Sequence, residues 1–202
     1  VAKKKDPVLT KARKAQIVKT AVRILSQRPH QTMTLEEVAR ESGVSKGLIV
    51  YYFGTKDNLV VEAIDGYIEG LIELFLSIAR STDSAKDRLQ RLIDAAFSSR
   101  EVVETQTRFL VEVWSFAKNK PDMLRKVREA FVHYSQATKE IVQIGAKEGY
   151  VGDVGVELDW FYLFMHALFD GLALQVMLDD RFDINTLRMK LFQFIDGLFS
   201  RR

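Results

Sequence analysis

Between Val38 and Lys56 the chain gathers residues that suit a polyanion. Val38, Ala39, Gly43, Val44 and Ile49 have the spacing of a helix-turn-helix. A small residue inside one helix lets a second approach. A glycine four residues on turns the chain, and apolar residues beyond it lock the second helix down. Such a unit lays its second helix in a DNA major groove while the first crosses the backbone. An ordinary helical hairpin shares this grammar, so the spacing by itself admits both. The neighbours add chemistry. Lys46 and Gly47 fall in the first turn of the second helix, within reach of base edges, Tyr51 and Tyr52 are adjacent near its end, and Lys56 opens the next helix. Hydroxyls, ammonium groups and free helix N-termini are the usual partners of phosphate, and they fix register rather than read sequence. Core packing is the competing use of the aromatics, and Phe53 is expected to take it.

Helices must hold these groups, and the hydrophobic pattern reads as helix nearly throughout, with no sustained two-residue alternation. The first runs from about Thr10 to Gln27, with Ile17, Ala21, Ile24 and Leu25 on one stripe, and Arg28-Pro29-His30 stops it. Thr34-Leu35-Glu36-Glu37 is a capping box that opens a second helix, which ends near Ser42-Gly43. A third spans Ser45 to about Tyr52, and a long one follows from Lys56 to Arg80. Further helices are expected over about Ala85–Ser98, Val102–Lys118, Pro121–Lys147, Glu157–Leu178 and Asn185–Ser200. The fold class is all-α.

The 202 residues are 47% apolar and include three prolines and no cysteine. A chain of this length buries about 70% of its unfolded surface and needs no disulfide or metal to fold. The composition argues against global disorder. The absence of cysteine excludes a disulfide scaffold and a thiolate zinc site, and fits a reducing compartment. The longest apolar stretch, Trp160–Phe169, is broken by His166 and reads as too short for a bilayer. Val1–Asp6 is charged with no apolar segment after it, so no secretory signal is expected, and the expected location is cytoplasmic, with no membrane partner. The net charge of +3 divides unevenly. Through Lys56 there are 12 basic and 4 acidic residues, a net of +8, and from Asp57 onward 18 against 23, a net of −5. That split suggests a polyanion-binding head on a body with another task; a solvated basic face is the alternative.

The segment Gly43-Val44-Ser45-Lys46-Gly47-Leu48-Ile49-Val50-Tyr51-Tyr52-Phe53-Gly54-Thr55-Lys56-Asp57-Asn58-Leu59 resembles the DNA-binding signature of the TetR family of transcriptional repressors, and the likeness covers about Thr10–Leu59. The resemblance implies a homodimer with a three-helix helix-turn-helix DNA-binding domain over residues 1–55. A helical effector-binding and dimerisation domain would follow over 56–202. It implies a palindromic double-stranded operator as partner, a small-molecule effector, repression rather than activation, and no cofactor. Carried over by position, Thr34, Tyr51, Tyr52 and Lys56 match the family's phosphate contacts. Ser45, Lys46, Gly47, Leu48 and Val50 match positions facing the groove. The family often has a polar residue at position 48 and an aromatic at 50. Leu48 and Val50 can touch thymine methyls but cannot hydrogen-bond a base, which leaves Lys46 as the main polar base reader.

In the body, Glu157–Leu178 is apolar almost all round, as a helix covered on two sides must be. Asn185–Ser200 carries a stripe of Leu187, Leu191, Phe194 and Leu198. The resemblance puts a four-helix dimer interface on these two helices, with Leu168 and Leu172 contributed by the first; a purely internal core is the alternative. Asp170-Gly171-Leu172-Ala173-Leu174-Gln175, with Arg108–Phe116 upstream, further resembles the branch containing the betaine-pathway repressor. Effectors vary within that branch, so choline is not implied. His166 and Asp170 share a helix face, and Asp159 lies seven residues before His166. Such a pair can be a structural hydrogen bond, a ligand anchor or part of a dimer seam. Trp114, His133, Tyr134, Trp160, His166 and Asp170 are the candidate pocket residues, and aromatic faces among them would suit a cation. No nucleophile motif, phosphate-cradling glycine loop or metal-ligand spacing supports an enzyme. A ligand-independent architectural DNA binder is the nearer alternative.

Overall fold

The computed structural model describes residues 7–152 and 157–199. Over them the chain forms nine α-helices and one 3₁₀ turn, with no strand. The charged Val1–Asp6 segment and Ser200, the last residue expected in helix, lie outside the described residues. The helices are α1 (Pro7–Leu25), α2 (Leu35–Ser42), α3 (Lys46–Phe53), α4 (Lys56–Ala79), α5 (Ala85–Ala96), α6 (Arg100–Ala117), α7 (Pro121–Lys147), α8 (Leu158–Leu178) and α9 (Ile184–Phe199), with the 3₁₀ turn at His30–Thr32. Every expected helix is present, with ends displaced by three residues at most.

Local chemistry explains the breaks. Thr34 caps α2, its Oγ1 accepting the Glu37 amide at 3.2 Å. The return half of the capping box is not built, because the Glu37 carboxylate pairs with Arg28 instead. A charge-assisted bond of that kind is stronger than one to a neutral amide. Ser45 caps α3 in the same way, accepting the Leu48 amide at 3.2 Å. Between the two helices Gly43 has φ +66°, the left-handed conformation that closes α2 and aims the chain into α3. A Cβ there would meet no atom within 4 Å, so only backbone strain opposes a side chain. Gly43→Ala is therefore expected to lower stability by about 1–2 kcal/mol, read as a reduced urea midpoint with an unchanged slope.

The chain separates into two compact units. One runs to Ile68 and takes in Arg108–Ala130; the other comprises Glu69–Thr107 and the chain from Phe131. The first unit is therefore larger than residues 1–55, since it recruits the start of α4, the end of α6 and the start of α7. Its core is the α1 stripe of Ile17, Ala21, Ile24 and Leu25, with Met33, Val38, Ala39, Ile49, Phe53, Leu59 and Ile64, all buried. Phe53 is thus core, as expected. Gly66 on α4 permits close passage of α1: a Cβ would stand 2.9 Å from Val18 Cγ1. The α6 and α7 portion is held by Lys120 bonded to Asp57 at 2.6 Å and by Tyr67 against Phe109, ring centroids 4.3 Å apart. The second unit has its own apolar cluster, centred on Ile93, Phe97, Val103, Phe161, Val176, Leu191 and Ile195.

Candidate functional site

On α3 burial divides the helix. Ile49 and Phe53 face the core, while Lys46, Gly47, Val50 and Tyr51 lie exposed on the other side, Tyr51 at 64% of its full area. Leu48 and Tyr52 are half-buried. Tyr52 packs edge-on to Tyr51 and lies beneath the Lys14 ammonium, 5.8 Å from its ring centre. The Thr34 and Ser45 side chains are exposed at the starts of α2 and α3. Each oxygen accepts its capping amide, which leaves the hydroxyl proton for an outside acceptor. Lys46 is bonded to Glu36 of α2 at 2.5 Å, and this pair depresses the Glu36 carboxyl below the usual range.

Lys56 is used differently from its expected place among phosphate contacts. Its Nζ donates to the carbonyls of His30, Gln31 and Met33 at 3.2, 3.3 and 3.3 Å. An ammonium has three protons, and all three are taken by the turn that precedes α2. The same turn is gripped from α6. The Glu112 carboxylate accepts both the His30 amide and its Nδ1–H, at 2.9 and 3.0 Å, and the His30 ring packs edge-on against Phe116. His30 and Glu112 carried no signal in the sequence, because a lone carboxylate on an amphipathic helix is normally solvated.

The second unit holds a cavity of about 160 Å³. Its walls are largely apolar, from Phe75, Leu89, Ile93, Phe161, Phe169 and Phe199 among others. Tyr134, Thr138, His166 and Asp170 form its polar end. The Thr138 hydroxyl donates to the Tyr134 carbonyl at 3.0 Å and so accepts from His166 Nε2 at 3.1 Å. The His166 ring therefore donates through Nε2, and burial pushes its pKa down against the opposing pull of the Asp170 charge. Burial also raises Asp170 and, with the Asp170 charge adding to it, pushes Tyr134 up to about 12. His166 and Tyr134 rings lie 5.0 Å apart. Three expected ligand residues thus meet here. The other three do not: Trp114 and Trp160 are 63% and 55% exposed, and His133 is exposed on α7. Asp159 pairs with Lys139. Arg88, which also lines the cavity, is buried and ties down the carbonyls of Ser81 and Asp83 while pairing with Glu148.

Comparison with known proteins matches residues 17–63 to the family described as "Bacterial regulatory proteins, tetR family". Residues 85–200, more than half the chain, match "BetI-type transcriptional repressor, C-terminal". The chain belongs to the TetR family. Its similar proteins include the HTH-type transcriptional regulator HbdR of Aromatoleum sp. (strain CIB), 31% identical over 50% of this chain and 43% of that protein. The HTH-type transcriptional regulator BetI of Stenotrophomonas maltophilia is 24% identical over 57% of this chain and 60% of its own length. The match thus spans about half the length of these relatives. A transcriptional regulator from Saccharomonospora viridis, solved in complex with choline, has the same fold with a TM-score of 0.76. It is 23% identical, with 95% of this chain and 99% of that one aligned.

In this TetR-family chain, α8 and α9 are covered differently from the expectation. Leu191 is 4% exposed within the body's own core, and Leu168, Leu172 and Leu187 pack against that core. Of the six expected interface residues, Phe194 alone is largely exposed, at 54%, and Leu198 is half-buried. The open apolar face consists instead of Trp160, Leu163, Phe164, Leu174 and Leu178 on α8, with Met189 and Phe194 on α9. By length and composition Asp159–Leu178 is also apolar enough to cross a membrane, with 17% of it buried. The expectation that the apolar stretch was too short counted only its uninterrupted run.

Proposed function

We propose that this chain is an effector-responsive repressor that binds a palindromic DNA operator as a homodimer in the bacterial cytoplasm. Residues 1–55 serve DNA, and 56–202 serve effector and dimer. The observation that carries the reading is the outward side of α3. Lys46, Gly47, Val50 and Tyr51 stand exposed on a basic head, flanked by the Thr34 and Ser45 hydroxyls at two helix N-termini. That arrangement supplies phosphate anchors around a short base-reading surface. The apolar stripe of α8 and α9 supports pairing of two copies, since a patch of this kind on a monomer marks an interaction site. A twofold partner would cover it and place two heads on one duplex. The cavity supports a ligand of apolar body and few polar groups, and favours regulation over ligand-independent architectural binding. The choline bound by the similar Saccharomonospora protein fits a small organic effector in general terms. Such a ligand shifts the DNA-binding equilibrium only by its difference in affinity for the two states.

Selection from a random duplex pool, followed by competition between the winning site and random DNA at fixed salt, tests the reading. The expected outcome is a palindromic winner bound at least about a thousandfold more tightly than random duplex. Equal affinities would falsify it. Tyr51→Phe removes one hydroxyl from the phosphate-facing side. It is expected to weaken winning and random sites alike by about threefold to tenfold, the size of one hydrogen bond, measured by fluorescence anisotropy. A change in base preference instead would remove Tyr51 from the phosphate contacts.

A further inference from the structure

The polar end of the body cavity carries one carboxylate, Asp170, that is exposed and holds no cationic partner among the described residues. Among these residues Asp170 makes no ion pair, and the Nε2 proton of His166 beside it is committed to Thr138. The other charged side chain in the lining, Arg88, is occupied by Glu148 and by two backbone carbonyls. The charged lining groups that an anionic head group would meet are therefore a carboxylate and an already engaged guanidinium. A cation would meet a carboxylate flanked by the Tyr134 ring, with Phe75 packed on that ring at a centroid distance of 6.4 Å. Aromatic faces attract cations through their quadrupole. The lining also includes Leu89, Ile93 and Phe199, which offer a place for hydrocarbon, while its polar Arg88 and Tyr150 are already engaged by Glu148 and Asp196.

We propose that the cavity selects an organic monocation bearing an apolar tail, with Asp170 as the counter-charge to its head and Ile93 and Phe199 walling the tail. The proposal rests on the cavity being the effector site. Asp170 is then the specificity-determining residue, since it lines the cavity while remaining exposed, where it can meet a charged head group. The apolar end sets the preference for a tail over a bare ammonium, at about 0.8 kcal/mol for each methylene buried.

The experiment is calorimetric titration of the full chain with octyltrimethylammonium, octanoate, 1-octanol and choline, with Asp170→Asn and Leu92→Trp as variants. Leu92 lines the cavity and is half-buried, so the larger ring narrows the space without opening the core. Octyltrimethylammonium is expected to bind about tenfold or more tighter than octanoate, and tighter than choline. In Asp170→Asn its affinity falls about tenfold while that for octanol is unchanged, the loss expected for one charge pair at the edge of the protein. Octanoate binding as well as the cation, or an Asp170→Asn variant that keeps its cation affinity, overturns the proposal. Leu92→Trp separates the two levels. If all four probes bind it as they bind the parent chain, they bind elsewhere and the cavity reading itself fails. If it blocks them while sign selectivity is missing, only the role of Asp170 fails.

Discussion

The double substitution Leu163→Glu, Phe164→Glu is expected to yield a folded monomer whose operator affinity is at least about a hundredfold lower. Both residues are 55% exposed on α8 and take no part in the body core, so helix content and the unfolding midpoint should change little. In a twofold pair they are buried twice over. Each loses about 1.5–3 kcal/mol of apolar burial per subunit, and the new carboxylates are brought near their own copies, where like charges repel. Loss of the dimer then removes the avidity of two linked heads, which is worth about 10²–10⁴ in affinity. Sedimentation velocity reads the assembly state, circular dichroism the fold, and anisotropy the operator. A dimer of parental stability would move the interface to some other surface.

The second large effect is expected at Lys56. Lys56→Ala frees the carbonyls of His30, Gln31 and Met33, each of which bonds a charged donor in the intact head. Such bonds contribute about 1.5–3 kcal/mol each when buried. Water can reach part of this site, which reduces the total to about 2 kcal/mol. The head should unfold at lower urea, and operator binding should weaken because the turn before α2 is no longer fixed. A lysine that merely touched phosphate would also weaken DNA binding but would leave stability intact. Measuring both quantities on one variant tells a clasp from a contact.

These two sites show where sequence is informative and where it is not. The helices could be read to within three residues, because stripes such as Ile17, Ala21, Ile24 and Leu25 and stops such as Pro29 and Gly43 act locally. The outward side of α3 was also legible, since a short helix with Ile49 and Phe53 inward leaves Lys46, Val50 and Tyr51 outside. The face of α8 was not. A helix apolar on all sides has no periodic contrast to say which leucines meet their own subunit and which stay open. On α9 the stripe through Leu191 and Phe194 crossed from the core side to the open side, so it joined residues with different surroundings. Lys56 was ambiguous for another reason: a lysine at a helix start is chemically suited to phosphate and to backbone carbonyls alike, and only the folded turn shows the bonds it makes here. The cavity united Tyr134, His166 and Asp170 from two helices but left out Trp114, His133 and Trp160. Aromatic character does not encode which way a side chain faces.

The Lys46–Glu36 pair gives the head a stand-in for DNA within its own structure. In the unbound protein the Lys46 ammonium, which we propose reads bases, already rests on a carboxylate of α2, much as it would rest on an anionic groove. On the proposed mode of binding, a duplex displaces an internal rival before it gains that contact. On random sequence the exchange returns little. On the right sequence a base edge receives Lys46, and the exchange is repaid in geometry that a random duplex lacks. Removing the rival with Glu36→Gln should consequently tighten random binding more than operator binding, making the head stickier and less discerning.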